Sequence, residues 1–534
     1  MLAADVIAQR LYAAGCRHAF GIPGGEVLTL MNALKQAGLD FILTKHENNA
    51  GFMAEGTHHI TGAPGVLLAT IGPGVANAVN FVANAYQDQV PLIYLTGCID
   101  ADEAVTFTHQ VFDHSALMKP ITKASFTATA GAIDAIIDKA VAVAMDDRPG
   151  PVHIDIPISV ANAEFDGNPR PARTKPSPAA PAEGPNLDAA RKALGEAERP
   201  LMIAGIDVLH HGAADSVATF AHQFRVPLIT TYKAKGVLSE DDPLALGGAG
   251  LSPRADTILQ PLLGESDLII LAGYDPIEMR ASWVEPWSAD ANVIEISALP
   301  NTHYVHQARL SFIGDIGAGL EVLADGVEPR ETWTGGQASA ARAAHKEAYG
   351  ANGEWGPEAI VETARRALPR DGIATADTGA HRILLSQGWE CYGPRTLLQS
   401  SALCTMGVAL PLAMGVKLAD PARVVIAFTG DAGLEMVLGE LATLRDLKMP
   451  VAVVVFVDES LALIELKQRN SGFDNLGVDF GATDFPAVAN AMGGHGVTAA
   501  DTDTLAAELE AAFGRNTFSL IACPIGAKAY DGKL

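Results

Sequence analysis

The feature that most constrains this chain is a recurring short run of apolar, β-branched residues that never alternates with polar ones. GVLLATI (65–71), PLIYLTG (91–97) and PVHIDIP (151–157) come first. PLMIAGI (200–206), VPLITT (226–231), DLIILAG (267–273) and NVIEIS (292–297) follow, then GIATAD (372–377), RVVIAFTG (423–430), PVAVVVFVD (450–458) and SLIACP (519–524). A strand with one wet face would alternate. Uninterrupted Val/Ile runs separated by helix-period segments predict parallel sheets covered by helices on both faces. Two Pro/Ala/Gly-rich stretches divide the series, the first with six prolines between 164 and 186. Such stretches read as linkers. The expectation is three tandem parallel-sheet α/β domains, 1–165, 187–326 and 355–534, joined by linkers 166–186 and 327–354.

Composition narrows the function class. Of 534 residues, 49% are apolar and 19% charged, enough to bury several cores. Lys+Arg is 37 against 62 Asp+Glu, a formal charge of −25. That surface repels polyanions, so no nucleic acid and no membrane partner is expected, although a local pocket can still hold a small anion. The five cysteines (16, 98, 391, 404, 523) are scattered and form no C-x-x-C, which reads against a disulfide framework or zinc site and for a reducing, cytoplasmic location. Asp5 and Arg10 read against a signal peptide. The uncharged stretches 60–87 and 396–416 are cut by Gly, Pro and polar residues, and read as buried segments of a soluble protein.

The most informative motif is TGDAGLEMVLGELATLRDLKMPVAVVVFVDES (429–460). A strand ends at Thr429; Gly430, Asp431, Ala432 and Gly433 form a turn, and Leu434, Leu438, Leu441 and Leu444 mark the apolar face of one following helix. A small-residue turn opening a helix presents N–H groups to an anion such as phosphate. The next strand delivers Asp458 to the same carboxyl-end rim, where α/β sheets bind ligands. Two carboxylates beside a phosphate cradle suit Mg²⁺. The plainer reading makes Asp431 a helix cap and Asp458 a turn residue.

A Gly-Asp turn answered 27 residues later by an oxygen ligand resembles the diphosphate motif of thiamine-diphosphate (ThDP) enzymes, and most closely the FAD-free catabolic acetolactate synthases. That family usually has Asn where Asp458 stands and Gly where Ala432 stands. The resemblance implies ThDP with Mg²⁺, held by Asp431, Asp458 and the backbone carbonyl of Ser460. KHENNAGFMAEG (45–56) resembles the motif whose glutamate protonates the cofactor's aminopyrimidine N1′, which implies Glu47 as the catalytic acid. Its neighbours read as a buried helix start, with Glu55 as the surface acid. SSALCTMGVALPLAMG (400–415) resembles the segment that bends the cofactor, implying Met406 as the wedge and the backbones of Cys404 and Met406 as pyrimidine contacts. By itself Met406 reads as core filler and Cys404 as an inert thiol.

GIPGG (21–25, with Gly24) and ATIGPGVANAVN (69–80, with Gly72 and Gly74) resemble the first-domain glycine loops of the family. Asn77, Asn80 and Asn84 share a helix face there and read as a polar seam at a subunit interface. DTGAHR (377–382) resembles the diphosphate-contacting loop, with His381 as a donor; a lone surface histidine is the plainer reading. THQVFDHSALMKPITKAS (108–125) and VDFGATDF (478–485) resemble the catabolic subfamily, and imply His109 and Gln110 facing the reacting carbon. AGYDPIE (272–278) replaces the segment that marks FAD-binding relatives, and Ile464 stands where aldehyde-releasing decarboxylases carry Glu. Glu26 departs from the subfamily, which has Lys there.

The resemblance implies decarboxylation of a 2-oxo acid, pyruvate, and carboligation to a second, giving 2-acetolactate. The alternatives are an FAD-free ThDP lyase or decarboxylase for a different 2-oxo acid or acyl donor, and a non-catalytic ThDP-binding paralogue. It also implies a homodimer at minimum, since Glu47 and Asp431 of one site come from different subunits, with a homotetramer common.

Overall fold

In the computed structural model, residues 1–167, 171, 176–279, 281–288 and 290–534 are described. Part of the 166–186 linker expectation therefore lies outside the described residues. The fold is α/β, with three six-stranded sheets in which every paired neighbour is parallel. The first contains β1 (His18–Ile22), β2 (Asp40–Leu43), β3 (Gly65–Ala69), β4 (Leu92–Cys98), β5 (Ala124–Thr127) and β6 (Pro151–Pro157), ordered β2-β1-β3-β4-β6-β5. The second contains β7 (Pro200–Ala204), β8 (Leu228–Thr231), β9 (Ala245–Ala249), β10 (Leu268–Ala272), β11 (Val293–Ser297) and β12 (Leu310–Ile313), ordered β12-β11-β10-β7-β8-β9. The third contains β13 (Ile373–Ala376), β14 (Leu397–Gln399), β15 (Val425–Gly430), β16 (Ala452–Val457), β17 (His495–Thr498) and β18 (Ser519–Pro524), ordered β14-β13-β15-β16-β18-β17.

The first and third sheets thus share one topology. In both, the third strand neighbours the first, the point at which open α/β sheets leave a crevice beyond their carboxyl ends. Apolar runs become central strands because both faces are buried: PVHIDIP is buried at all seven positions of β6.

The two matching domains share a core. The helix after β2, Glu47–Thr61, packs on the helix after β14, Ala409–Ala419, and Phe52, Met53, Leu410, Leu412 and Val416 all belong to one cluster. The helices touch through glycine: a Cβ on Gly415 would lie 2.0 Å from the Met53 carbonyl oxygen, and one on Gly56 2.4 Å from that of Leu412. This closeness leaves the first helix no wet face, so Glu55, expected at the surface, is 1% exposed. Among the described residues no helix is long and apolar enough to cross a membrane.

Candidate functional site

The carboxyl-end rim of the third sheet gathers the 429–460 motif as its spacing requires. Gly430 caps a short helix, Asp431–Glu435, in extended conformation. Asp431 Oδ1 accepts from the Ala432 N–H (2.8 Å), while Oδ2 accepts from the N–H groups of Asp458 (3.1 Å) and Glu459 (2.7 Å). Asp431 therefore locks the turn after β15 to the end of β16, and both carboxylates stand at one rim. Asp458 Oδ1 accepts from the Ser460 N–H at 3.3 Å, and Ser460 Oγ donates to Asp479 at 2.7 Å. Burial and the charge of Asp431 push the Asp458 carboxyl up to about 7.

The expected single helix over 434–444 is broken. Asp431–Glu435 ends, and a second helix, Glu440–Asp446, begins. The break carries Glu440 inward, where it is fully buried: Oε1 accepts from the Lys45 N–H (2.9 Å) and Asn49 Nδ2 (3.0 Å), and Oε2 from Thr443 Oγ1 (2.8 Å). A carboxylate of the third domain thereby clamps both sides of Glu47.

Glu47 opens its helix and is 4% exposed. Its Oε2 accepts from Asn77 Nδ2 at 3.0 Å, and its Oε1 lies 3.3 Å from where a Gly74 Cβ would sit. The glycine loop therefore faces Glu47. The asparagines do not share one helix, because it breaks at Ala78. Asn77 serves Glu47, Asn80 reaches Asn48 and Thr405, and Asn84 accepts from Ser400 Oγ at 2.6 Å, all within one chain.

Gly72 has φ of +67°, and a Cβ there would lie 2.5 Å from the Gln110 carbonyl oxygen, so only glycine lets the 108–114 segment lie on this turn. Gln110 is thus placed beside the loop, though its side chain and that of His109 are exposed in the single chain. What pins the segment is His114, which sequence reasoning passed over. Its Nε2 accepts from the Gly72 N–H (3.2 Å), and its Nδ1–H donates to Asp155 (2.8 Å). Burial opposes ionisation of Asp155, but hydrogen bonds from His114, His153 and Thr96 outweigh it and hold the carboxyl well below its ordinary range. Gly24 lies against Thr70, whose hydroxyl donates to Glu26 at 2.6 Å.

His381 is buried, not a surface histidine, and stacks on Phe456 with centroids 5.3 Å apart. Burial and the neighbouring Arg382 charge hold it down to about 3, and its Nε2 has no hydrogen-bond partner among the described residues. A Cβ at Gly430 would lie 3.2 Å from the ring's Cε1 and 3.6 Å from its Nδ1, so the imidazole lies against the Gly430 turn. Its other nitrogen serves the Asp377 backbone, so donation from Nε2 requires the ring to gain a proton beside an anion.

Asp377 organises the rest, and sequence reasoning gave it no role. It accepts from the N–H groups of Thr378, Gly407 and Val408 and from the Thr429 hydroxyl, tying the Met406 loop to the end of β15. Burial raises its carboxyl to about 6. Met406 and Cys404 are half-buried on that loop, and Cys404 has φ of +51°. Arg382 holds the loop from the other side through the Cys404 sulfur (3.4 Å), and it is ion-paired to Glu278 of the central domain.

These features fit a diphosphate with a divalent cation. A buried imidazole with an unpartnered nitrogen packs against a turn that opens a helix, and two rim carboxylates repel one another. Among the described residues no three His, Cys, Asp or Glu side chains gather as a metal site. A cation here would take the remaining oxygens from backbone and ligand, as Mg²⁺ does beside phosphates.

Family models match all three domains: thiamine pyrophosphate enzyme, N-terminal TPP binding domain, over residues 1–117; central domain over 187–323; and C-terminal TPP binding domain over 377–523. The chain is 31% identical to acetolactate synthase isozyme 1 large subunit of Escherichia coli (strain K12), covering 92% of this chain and 86% of that protein. It is 29% identical to the catabolic acetolactate synthase of Raoultella terrigena over 98% of this chain and 94% of that protein. Identity is also 29% to the acetolactate synthase of Bacillus subtilis (strain 168), over 94% and 89%.

Proposed function

This chain belongs to the acetolactate synthase family of thiamine pyrophosphate enzymes, and from that premise we propose that it decarboxylates pyruvate and joins the two-carbon fragment to a second 2-oxo acid, giving 2-acetolactate. The observation that carries this reading is the Asp431–Asp458 rim, found in a chain similar along nearly its whole length to acetolactate synthases.

Asp431, Asp458 and the Ser460 carbonyl would hold Mg²⁺; the Gly430–Gly433 turn and His381 would hold the diphosphate, and the backbones of Cys404 and Met406 the pyrimidine. When bound, ThDP supplies a carbon nucleophile that adds to the 2-oxo carbonyl and takes up the charge left by CO₂. Glu47, oriented by Asn77 and the Glu440 clamp, passes a proton to and from the aminopyrimidine nitrogen. Met406 would supply apolar support beneath the cofactor. Gly24, Gly72 and Gly74 shape the backbone around the thiazolium, and Gln110 and His109 donate to the substrate carboxylate or developing alkoxide. By likeness to the family, we assign the Asp431 that shares a cofactor with Glu47 to a second subunit: a homodimer at minimum, with a homotetramer expected. We place the protein in the cytoplasm, with thiamine diphosphate and Mg²⁺ as cofactors, and expect neither nucleic acid nor membrane as a partner. The three sheets serve as the three domains, bounded as the sequence divides them.

Glu26 favours a second reading, a decarboxylase or lyase for another 2-oxo acid or acyl donor. An anion held by Thr70 beside Gly24 takes the place of the subfamily's cation, and weakens capture of a second anionic acceptor. NMR analysis of products from pyruvate, ThDP and Mg²⁺ separates the two. Acetolactate, converted to acetoin by acid, supports the first; product only from other 2-oxo acids supports the second, and no product from any of them overturns both.

A further inference from the structure

A cavity of about 380 Å³ lies away from the cofactor rim, in the cleft between the central sheet and the third domain. Its walls are β9, the helix Gln337–Tyr349, the helix Pro357–Ala367 and the carboxyl end of the helix Ala380–Gly388. Its size falls in the range of small-ligand sites.

Four acids and four bases line it, and two lysines from outside the lining, Lys235 and Lys533, also pair with the acids. Each acid there already has a cation: Glu240 has Lys235 (2.6 Å), Glu390 has Lys346 (2.6 Å), Glu358 has Lys533 (2.5 Å), and Glu362 has Arg366 (3.9 Å). Two guanidiniums remain, Arg342 and Arg365, and among the described residues neither meets a carboxylate. Arg342 donates to the carbonyls of Ala245, Glu240 and Asp241. Arg365 is 7% exposed, wedged between Trp389 and Tyr392, and spends only Nη2, on the Leu368 and Pro369 carbonyls. Its Nε and Nη1 are buried without a partner. Two guanidiniums on two walls of one cavity, neither ion-paired directly to a carboxylate and one with unspent buried donors, form an attractive site for negative charge even in a chain of net −25.

We propose that this cleft is a second ligand site, distinct from the cofactor rim, that binds a small dianion through Arg342 and Arg365. The chemistry shared by its occupants is two negative charges on compact oxygen acceptors, as in a phosphate group or a short dicarboxylate. The helix Ala380–Gly388 joins the two sites, since it carries His381 at one end and Gln387 and Gly388 in the cavity wall at the other.

The test is isothermal titration of the full chain preloaded with ThDP and Mg²⁺, so that the diphosphate cradle is filled, using inorganic phosphate in one arm and malonate in the other. One saturable site per chain is expected for at least one probe, and the arm that responds assigns the source to phosphates or to dicarboxylates. Arg342→Gln and Arg365→Met are each expected to weaken it about tenfold or more, the loss of a charged hydrogen bond. Arg342 lies on a half-exposed helix position, so its variant remains informative should Arg365→Met fail to fold. No saturable binding of either probe, or unchanged affinity in Arg342→Gln, overturns the proposal.

Discussion

In the first sheet the turn leaving the third strand, Thr70–Gly74, carries no ionisable side chain; in the third sheet the corresponding turn carries Asp431. The segments after the second strands differ in the opposite sense. The first domain begins its helix there with Glu47, whereas the third places the half-buried Met406 on the approach to its own. One topology, used twice, has therefore exchanged its charged and uncharged positions. The third domain's carboxylates sit in backbone N–H cages at a rim, suited to holding a cation and phosphates. The first domain's carboxylate is nearly enclosed, with a single side-chain donor, suited to moving a proton. The two helices at this exchange are also the pair that meet through Gly56 and Gly415, so the domains are matched in structure and complementary in chemistry.

The largest effect expected from breaking this division is at Glu47. Glu47→Gln keeps the Asn77 contact and shape but cannot carry the proton, so turnover falls about a thousandfold. ThDP affinity, measured by titration, stays close to that of the unaltered protein. Near-normal turnover would remove Glu47 from the proton path and the comparison with it. Next in size is the buried acid further along the same helix. Burial raises Glu55 to about 7, against the opposing charge of Lys233, and its carboxylate accepts from His59, whose other nitrogen takes the Arg395 proton donor. Folding therefore favours the protonated acid: its contribution to stability is fully present below about 4.5 and is lost as pH rises through about 7. The difference is about 3 kcal/mol. Urea unfolding at pH 5 and pH 8 should show this loss, and Glu55→Gln should reduce it, the remainder belonging to Asp377 and Asp458.

How much of this was legible in the sequence follows from burial. β6 and β18 coincide with their apolar runs end to end, because both are covered on two faces. The strands without such runs are β1 and the six sheet edges, β2, β5, β9, β12, β14 and β17. These edge strands have three to five residues, too few for a long run, and β12 alternates half-buried and exposed residues, so its run is also interrupted. The Asp431–Asp458 pair was readable because one helix and one strand separate its members. The Glu440 clamp was not, since its partner Lys45 is 395 residues away and the helix break that turns Glu440 inward leaves no mark in the leucine spacing. Glu55 misled for a related reason: a helical period predicts one wet face, and a helix squeezed between its own sheet and its counterpart has none.

The third domain's side of the comparison is sharpened at its own turn. Asp431→Ala removes a rim carboxylate and frees the backbone of Asp458 and Glu459, so Mg²⁺-dependent ThDP affinity should fall about ten- to a hundredfold. Excess cofactor should restore much of the turnover, a rescue that Glu47→Gln cannot show. If both variants lose binding equally, the two domains do not divide their tasks.

The smallest effect is expected where the first domain compensates for its neutral turn. In the third domain Asp431 satisfies its turn's own Ala432 N–H; in the first, Gly72 must borrow its acceptor from His114, 42 residues away. His114→Ala leaves that buried N–H without a partner and costs about 1–2 kcal/mol in urea unfolding. It also frees the segment carrying His109 and Gln110, so KM for the 2-oxo acid should rise severalfold while kcat changes little. His114→Gln, whose amide oxygen can accept from Gly72, should recover part of both. If His114→Ala lowers kcat and leaves KM unchanged, His114 acts on the chemistry itself, and the first domain's turn is more than a passive support for Glu47.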